Sequence, residues 1–99
     1  KRRIMAKTKK VRYQLRFFGR VQGVGFRYTA NSIAYSLGIT GWVMNDWDGS
    51  VLMEAQGTET SIEQLINQLH NGVYIEIDRI EKTPLSVDTE ERSFKVKSW

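Results

Sequence analysis

Nine residues, GRVQGVGFR from Gly19 to Arg27, put three glycines and a closing arginine between a segment of alternating apolar residues and one with helical spacing. Glycine has no Cβ, so successive backbone N–H groups can converge on one point. A helix N-terminus just downstream adds unpaired donors and a partial positive charge. A loop of this kind is suited to hold an anion. The glycine spacing is not that of a dinucleotide fingerprint and no Lys-Ser/Thr pair follows, so neither standard nucleotide motif applies. Arg27 falls in the expected first helical turn, where a cation opposes the helix dipole unless an anion sits between them. Its planar fork matches two non-bridging oxygens of a phosphoryl group.

A second polar group, the Asn45 amide, ends an expected strand and is brought towards the same loop by the order of the elements. The missing residues narrow the chemistry further. There is no cysteine, and the single histidine, His70, closes an expected second helix. A phosphocysteine route is excluded and a phosphohistidine route disfavoured. Without nucleophile, strong base or metal, phosphoryl transfer to water suits a substrate whose leaving group departs unaided. Acyl phosphates qualify, because a carboxylate is a far weaker base than an alkoxide and needs no general acid. Water attack then requires positioning and charge stabilisation, and a primary amide can supply the positioning. Asp46 and Asp48 are too few for a calcium loop and are read as turn residues. No metal and no cofactor are expected.

These groups must be placed by the elements around them. In VRYQLRFFG, Val11, Tyr13, Leu15 and Phe17 alternate with Arg12, Gln14 and Arg16, the pattern of a half-buried strand. Phe26, Ala30, Ile33, Ala34 and Leu37 then fall on one helical face, with Gly38 as the stop. Two strands follow, ITGWVMND and SVLMEAQG, joined through Asp48-Gly49, a hairpin signal. A second helix carries Ile62, Leu65, Ile66 and Leu69 behind a capping-box spacing of Thr60 and Glu63, and ends at Asn71-Gly72. Val73, Ile75 and Ile77 alternate and then change phase to Ile80, which predicts a bulge or a strand end, with Pro84 beyond the apolar part. Phe94 and Val96 mark a short last strand.

The order βαββαβ plus a terminal strand is satisfied by an α+β ferredoxin-like sandwich, an antiparallel sheet with two helices on one face. That fold hosts many functions and decides none of them.

Ninety-nine residues suffice for one core. Residues 10–99 are expected to form it, and residues 1–9 a basic, disordered tail. No apolar run approaches the roughly 18 residues of a membrane span, so no membrane partner is expected and a cytoplasmic location fits the absence of cysteine. Ten lysines and arginines and no acid precede Asp46, whereas five cations and eleven acids lie from Asp46 onward. An anionic ligand would be drawn to the first half. Trp42, Trp47 and Trp99 beside that positive charge raise an RNA-binding sheet as the other possibility. Its sheet signatures are missing, however, and the alternation sends Tyr13 and Phe17 to the apolar side, so no nucleic-acid partner is expected. The chain is taken as a monomer.

GRVQGVGFR together with GWVMNDWDGSVLMEAQG, Gly41 to Gly57, closely resembles the acylphosphatases in each motif and in their order and separation. The match is close over residues 11–57 and extends to the rest through length and element order. The resemblance implies a small cytosolic enzyme that hydrolyses acyl phosphates to a carboxylate and inorganic phosphate without metal or cofactor. On the matching positions it implies that Arg27 binds the phosphate together with the loop of Arg20, Val21, Gln22, Gly23, Val24, Gly25 and Phe26. It likewise implies that Asn45 orients the attacking water. Three positions depart from the family pattern. Phe17 stands where an aliphatic residue is usual, Met44 where a basic one is frequent, and HNGVYIEI lacks the Gly/Pro-containing connection of many relatives.

Overall fold

A computed structural model describes residues 9–98; the tail expected over residues 1–9 lies outside it except for Lys9. Seven elements follow one another: β1 Lys10–Arg20, α1 Phe26–Leu37, β2 Thr40–Asn45, β3 Val51–Thr58, α2 Glu59–His70, β4 Glu76–Leu85 and β5 Phe94–Lys97. The sheet order is β4-β1-β3-β2-β5. β1 is antiparallel to β3 and β4, and β2 to β3. This is the ferredoxin-like sandwich, with one difference: β5 runs parallel to β2, so the five-stranded sheet is mixed.

Chain length accounts for that direction. β4 and β5 lie on opposite edges, four strand spacings of about 4.8 Å apart. The eight residues from 86 to 93 span at most roughly 3.3–3.6 Å each. They can cross the sheet sideways but cannot also return along a strand. β5 therefore starts at the end where β4 stopped and runs opposite to β4, which is the direction of β2. The crossing lies over the face away from the helices, where the Gln56 side chain accepts from the Asp88 N–H at 2.8 Å and donates to the Asp88 carbonyl at 2.9 Å. It covers Arg12, which the alternation had put in solvent. Arg12 is only 6% exposed and is paired with Glu54 at 2.9 Å and Glu91 at 2.8 Å, as a buried guanidinium requires.

On the helix side, Leu15 and Phe17 of β1 and Val43, Val51, Met53 and Ala55 of the hairpin are fully buried. Against them pack Phe26, Ala30 and Ala34 of α1 and Ile62, Leu65 and Leu69 of α2. α1 and its Gly38 cap fall where expected. α2 starts slightly earlier: its cap is Thr58, whose side chain accepts from the Ser61 N–H at 3.1 Å, and not Thr60. β3 runs straight into the helix, so its last residue is also the cap.

β4 begins at Glu76, leaving Val73 and Tyr74 exposed, and runs through Pro84 to Leu85. Proline is tolerated there because β4 is an edge strand. The predicted phase change is a bulge, with Asp78 the extra residue opposite the Phe18/Gly19 step. Gly19 is needed at that point, since a Cβ would collide with the Glu76 carbonyl.

Candidate functional site

Between β1 and α1 the chain turns through five residues. Gly23 (φ 74°) and Gly25 (φ 78°) take left-handed conformations, open to glycine and costly for other residues. Two apolar side chains pin the turn: Val21 at its start and Phe26 at its end are buried, and the Phe26 ring packs on Phe17 with centroids 5.0 Å apart. Phe17, the departure noted in the sequence, is thus a support of the loop. Gly25 caps α1 without a side-chain oxygen, and no acid lies in the first turn. The first helical bond runs from the Thr29 N–H to the Gly25 carbonyl at 3.0 Å. Among the described residues, no N–H from Val21 to Gly25 donates to a protein acceptor. The N–H groups at the start of α1 lack intrahelical partners as at any helix start. The loop and helix together concentrate donors and positive potential on one side.

That side opens into a hollow of about 110 Å³ bordered by Gly23, Gly25, Arg27, Tyr28 and Asn45, with Val21 and Phe26 beneath. Its volume is roughly four water molecules at about 30 Å³ each, the scale of one small oxyanion. Larger hollows of about 700 and 530 Å³ lie beside the α1 C-terminus and under the 86–93 crossing, and neither includes a loop residue. The smaller hollow is the one that the glycine loop borders.

Arg27 is half-buried, and its Nη1 donates to the Lys97 carbonyl of β5 at 3.0 Å. The Lys97 ammonium in turn lies over the Trp42 ring, 4.4 Å from its centroid. Asn45 is the last residue of β2 and pairs across the hairpin with Val51. Asn45 borders the hollow, and among the described residues its side-chain amide has no hydrogen-bond partner.

The sequence-predicted set therefore divides. Val21, Gly23, Gly25, Phe26, Arg27 and Asn45 meet at the hollow. Arg20 is exposed at the end of β1, and Val24 packs towards the core. Gln22 turns its side chain away, and its Nε2 donates to the Asp46 and Ser50 carbonyls, each at 2.8 Å. It ties the loop to the turn that follows Asn45.

In that turn Asp46 and Asp48 are the turn residues expected. The Asp46 carboxyl is held below its ordinary range by the hydrogen bond from Arg16, then by the Trp47 N–H. Asp48 is lowered by the Ser50 hydroxyl and then the Ser50 N–H. Sequence reasoning missed Arg16, Ser50, Lys97 and the side-chain role of Gln22. Only the polar run from Asp46 to Ser50 hinted that something had to hold that turn.

The glycine loop, a helix start with no acid in its first turn, Arg27 and Asn45 thus share one hollow of an α+β domain. The acylphosphatase family model matches residues 13–96. The acylphosphatase of Oceanobacillus iheyensis is 42% identical over 81 residues, covering 80% of this chain and 89% of its own length. That of Clostridium acetobutylicum is 38% identical over 86 residues, with 86% and 94% covered. Among solved structures, the acylphosphatase from Bacillus subtilis superposes with a TM-score of 0.81 at 31% identity, over 88% of this chain and 98% of that one. Full-length HypF superposes equally well, TM-score 0.82 at 31% identity, but only 12% of that chain is covered. The chain belongs to the acylphosphatase family and is a hydrolase of that family.

Proposed function

We propose that the chain hydrolyses acyl phosphates to a carboxylate and inorganic phosphate by direct, metal-independent attack of water. The observation that carries the mechanism is the hollow itself, of oxyanion size, which Arg27, Asn45 and the glycines of a loop with unpaired N–H groups all border. The loop amides and Arg27 hold the phosphoryl oxygens and balance their charge as the bond to the leaving carboxylate loosens. Arg20, Gln22 and Val24 contribute backbone N–H groups rather than side chains. Asn45 orients the water opposite the leaving group. Because the departing carboxylate is a weak base, no general acid is assigned. The reading places the electrostatic work on Arg27 and the amides.

No helix among the described residues is long and apolar enough to cross a membrane. The same reading makes the protein a cytoplasmic monomer acting on a small molecule, without a nucleic-acid or membrane partner.

The test is phosphate release from acetyl and benzoyl phosphate in EDTA, with p-nitrophenyl phosphate as the poor-leaving-group control. The acyl phosphates are expected to turn over and the control to react far more slowly. Arg27→Ala is expected to raise KM and lower kcat together. Asn45→Ala is expected to lower kcat by roughly 100-fold, the usual cost of one misplaced catalytic contact, and to leave the inhibition constant of inorganic phosphate nearly unchanged. Activity abolished by the chelator, or full turnover in both variants, would sink the mechanism.

A further inference from the structure

Asn45 can place a water only as well as the hairpin turn places Asn45. That turn, residues 46–50, closes through two backbone bonds, Asp46 N–H to the Ser50 carbonyl at 2.9 Å and Gly49 N–H to the Asp46 carbonyl at 3.2 Å. It also gathers two carboxylates, each of which raises the electrostatic cost of the other. One cation answers both. Arg16 projects from the neighbouring region of β1 on the face away from the helices, and its Nη1 donates to Asp46 Oδ2 at 2.6 Å and to Ser50 Oγ at 2.8 Å. The Asp48 carboxylate stands 3.7 Å from the same nitrogen. The Ser50 hydroxyl, buried at 2% exposure, passes its own proton to Asp48 Oδ1 at 2.6 Å. Asp46 Oδ1 accepts the Trp47 N–H at 2.7 Å, so the residue after Asn45 is fixed at both carboxylate oxygens.

We propose that Arg16 is a positioning residue, which locks the 46–50 turn and thereby sets where the Asn45 amide holds the attacking water. This rests on the reading of Asn45 as the water-orienting group. Arg16 does not border the hollow and none of its hydrogen bonds reaches the glycine loop, so its route to the reaction runs through the turn. Gln22 grips the turn from the other side but belongs to the loop itself, and a change there would disturb both partners at once. Removing Arg16 leaves Asp46 and Asp48 repelling within one turn and strips a donor from a buried hydroxyl. The phosphate cradle keeps its glycines, its Arg27 and its Gln22. The loss should therefore appear in kcat, since displacements near 1 Å cost up to about 100-fold. Among the described residues only one guanidinium nitrogen is engaged, and a lysine ammonium carries three donors on one nitrogen. Lysine should substitute where an apolar residue cannot.

The experiment is a double-mutant cycle on benzoyl phosphate: Arg16→Met, Asn45→Ala, the two combined, and Arg16→Lys, with inorganic phosphate as competitive inhibitor. Expected are a kcat lowered by about 10-fold or more in Arg16→Met, an unchanged phosphate inhibition constant, most of the rate recovered in Arg16→Lys, and no further loss when Arg16→Met is added to Asn45→Ala. A general structural injury would lower the rate equally in both backgrounds, and that result overturns the proposal. So does full turnover in Arg16→Met while Asn45→Ala is crippled, which leaves the site reading intact. Full turnover in Asn45→Ala overturns the site reading, and this inference with it. Should Arg16→Met fail to fold, Asp46→Asn weakens the same contact while keeping the Trp47 acceptor, and is held to the same outcomes.

Discussion

Among the described residues, Arg27 is tethered by a carbonyl and not by a carboxylate. The Lys97 oxygen takes one of its N–H groups at 3.0 Å, which fixes the fork without cancelling its charge. A carboxylate there would fix it equally and compete with the substrate. Under the proposed mechanism Arg27→Lys keeps the charge but loses the planar, bidentate geometry. Its kcat/KM should fall by roughly 10-fold or more, with part of the loss in the phosphate inhibition constant. Steady-state kinetics with and without phosphate checks this. That Arg27 and Asn45 come to one hollow was legible in the sequence because the glycine loop and the strand end, in that element order, lie at the same end of the sheet. Lys97 was not legible, since a backbone carbonyl has no residue type. Arg16 was hidden for another reason: alternation assigned it correctly to the polar face, and periodicity cannot distinguish a solvated arginine from one gripping a turn.

The elements differ in what they do for the site. α2 supports the core and lines no part of the hollow. Thr58→Ala removes its cap and is expected to cost about 1 kcal/mol of stability with kcat and KM unchanged, measured by urea unfolding beside activity. The β2–β3 turn is different, because its carboxylates titrate. Asp46 and Asp48 have folded values below the ordinary carboxylate value near 3.9. Their contribution is therefore fully present above that value and is lost as pH falls through the lowered folded ones. Thermal midpoints followed from pH 6 to pH 2 should drop on the acid side, less steeply in Asp46→Asn. Helix and hairpin positions were legible from periodicity and from Asp48-Gly49. The α2 cap was misplaced by two residues because Thr58 serves strand and helix together, and a capping-box spacing at Thr60 and Glu63 competed with it.

At the scale of the molecule, two cations of the positive first half are taken up within the fold. Arg12 and Arg16 are engaged by acids of the second half, so the field at the site owes more to the loop, the helix start and Arg27. If phosphate binds there only in the folded state, it stabilises by mass action, about 2.7 kcal/mol at a hundredfold excess over its dissociation constant. The thermal midpoint should rise with phosphate in the wild type and hardly at all in Arg27→Ala. The βαββαβ order was legible in the sequence because each element carries one apolar face. The parallel β5 was not, since it follows from the reach of an eight-residue crossing and not from any pattern in FKVK.

That last strand also fixes when the site comes into being. The bond between Arg27 and Lys97 joins positions 70 apart in the chain, one of the longest closures in the fold, and contacts of such separation are the slow ones to form. The glycine loop and α1 can assemble early, from neighbouring residues, with the guanidinium still loose. In refolding from denaturant, turnover is expected to lag behind the far-ultraviolet signal of the helices, and the lag should track docking of β5. Under the proposed mechanism catalysis would then report completion: a chain still missing its final strand owns the cradle and lacks the hand that steadies it.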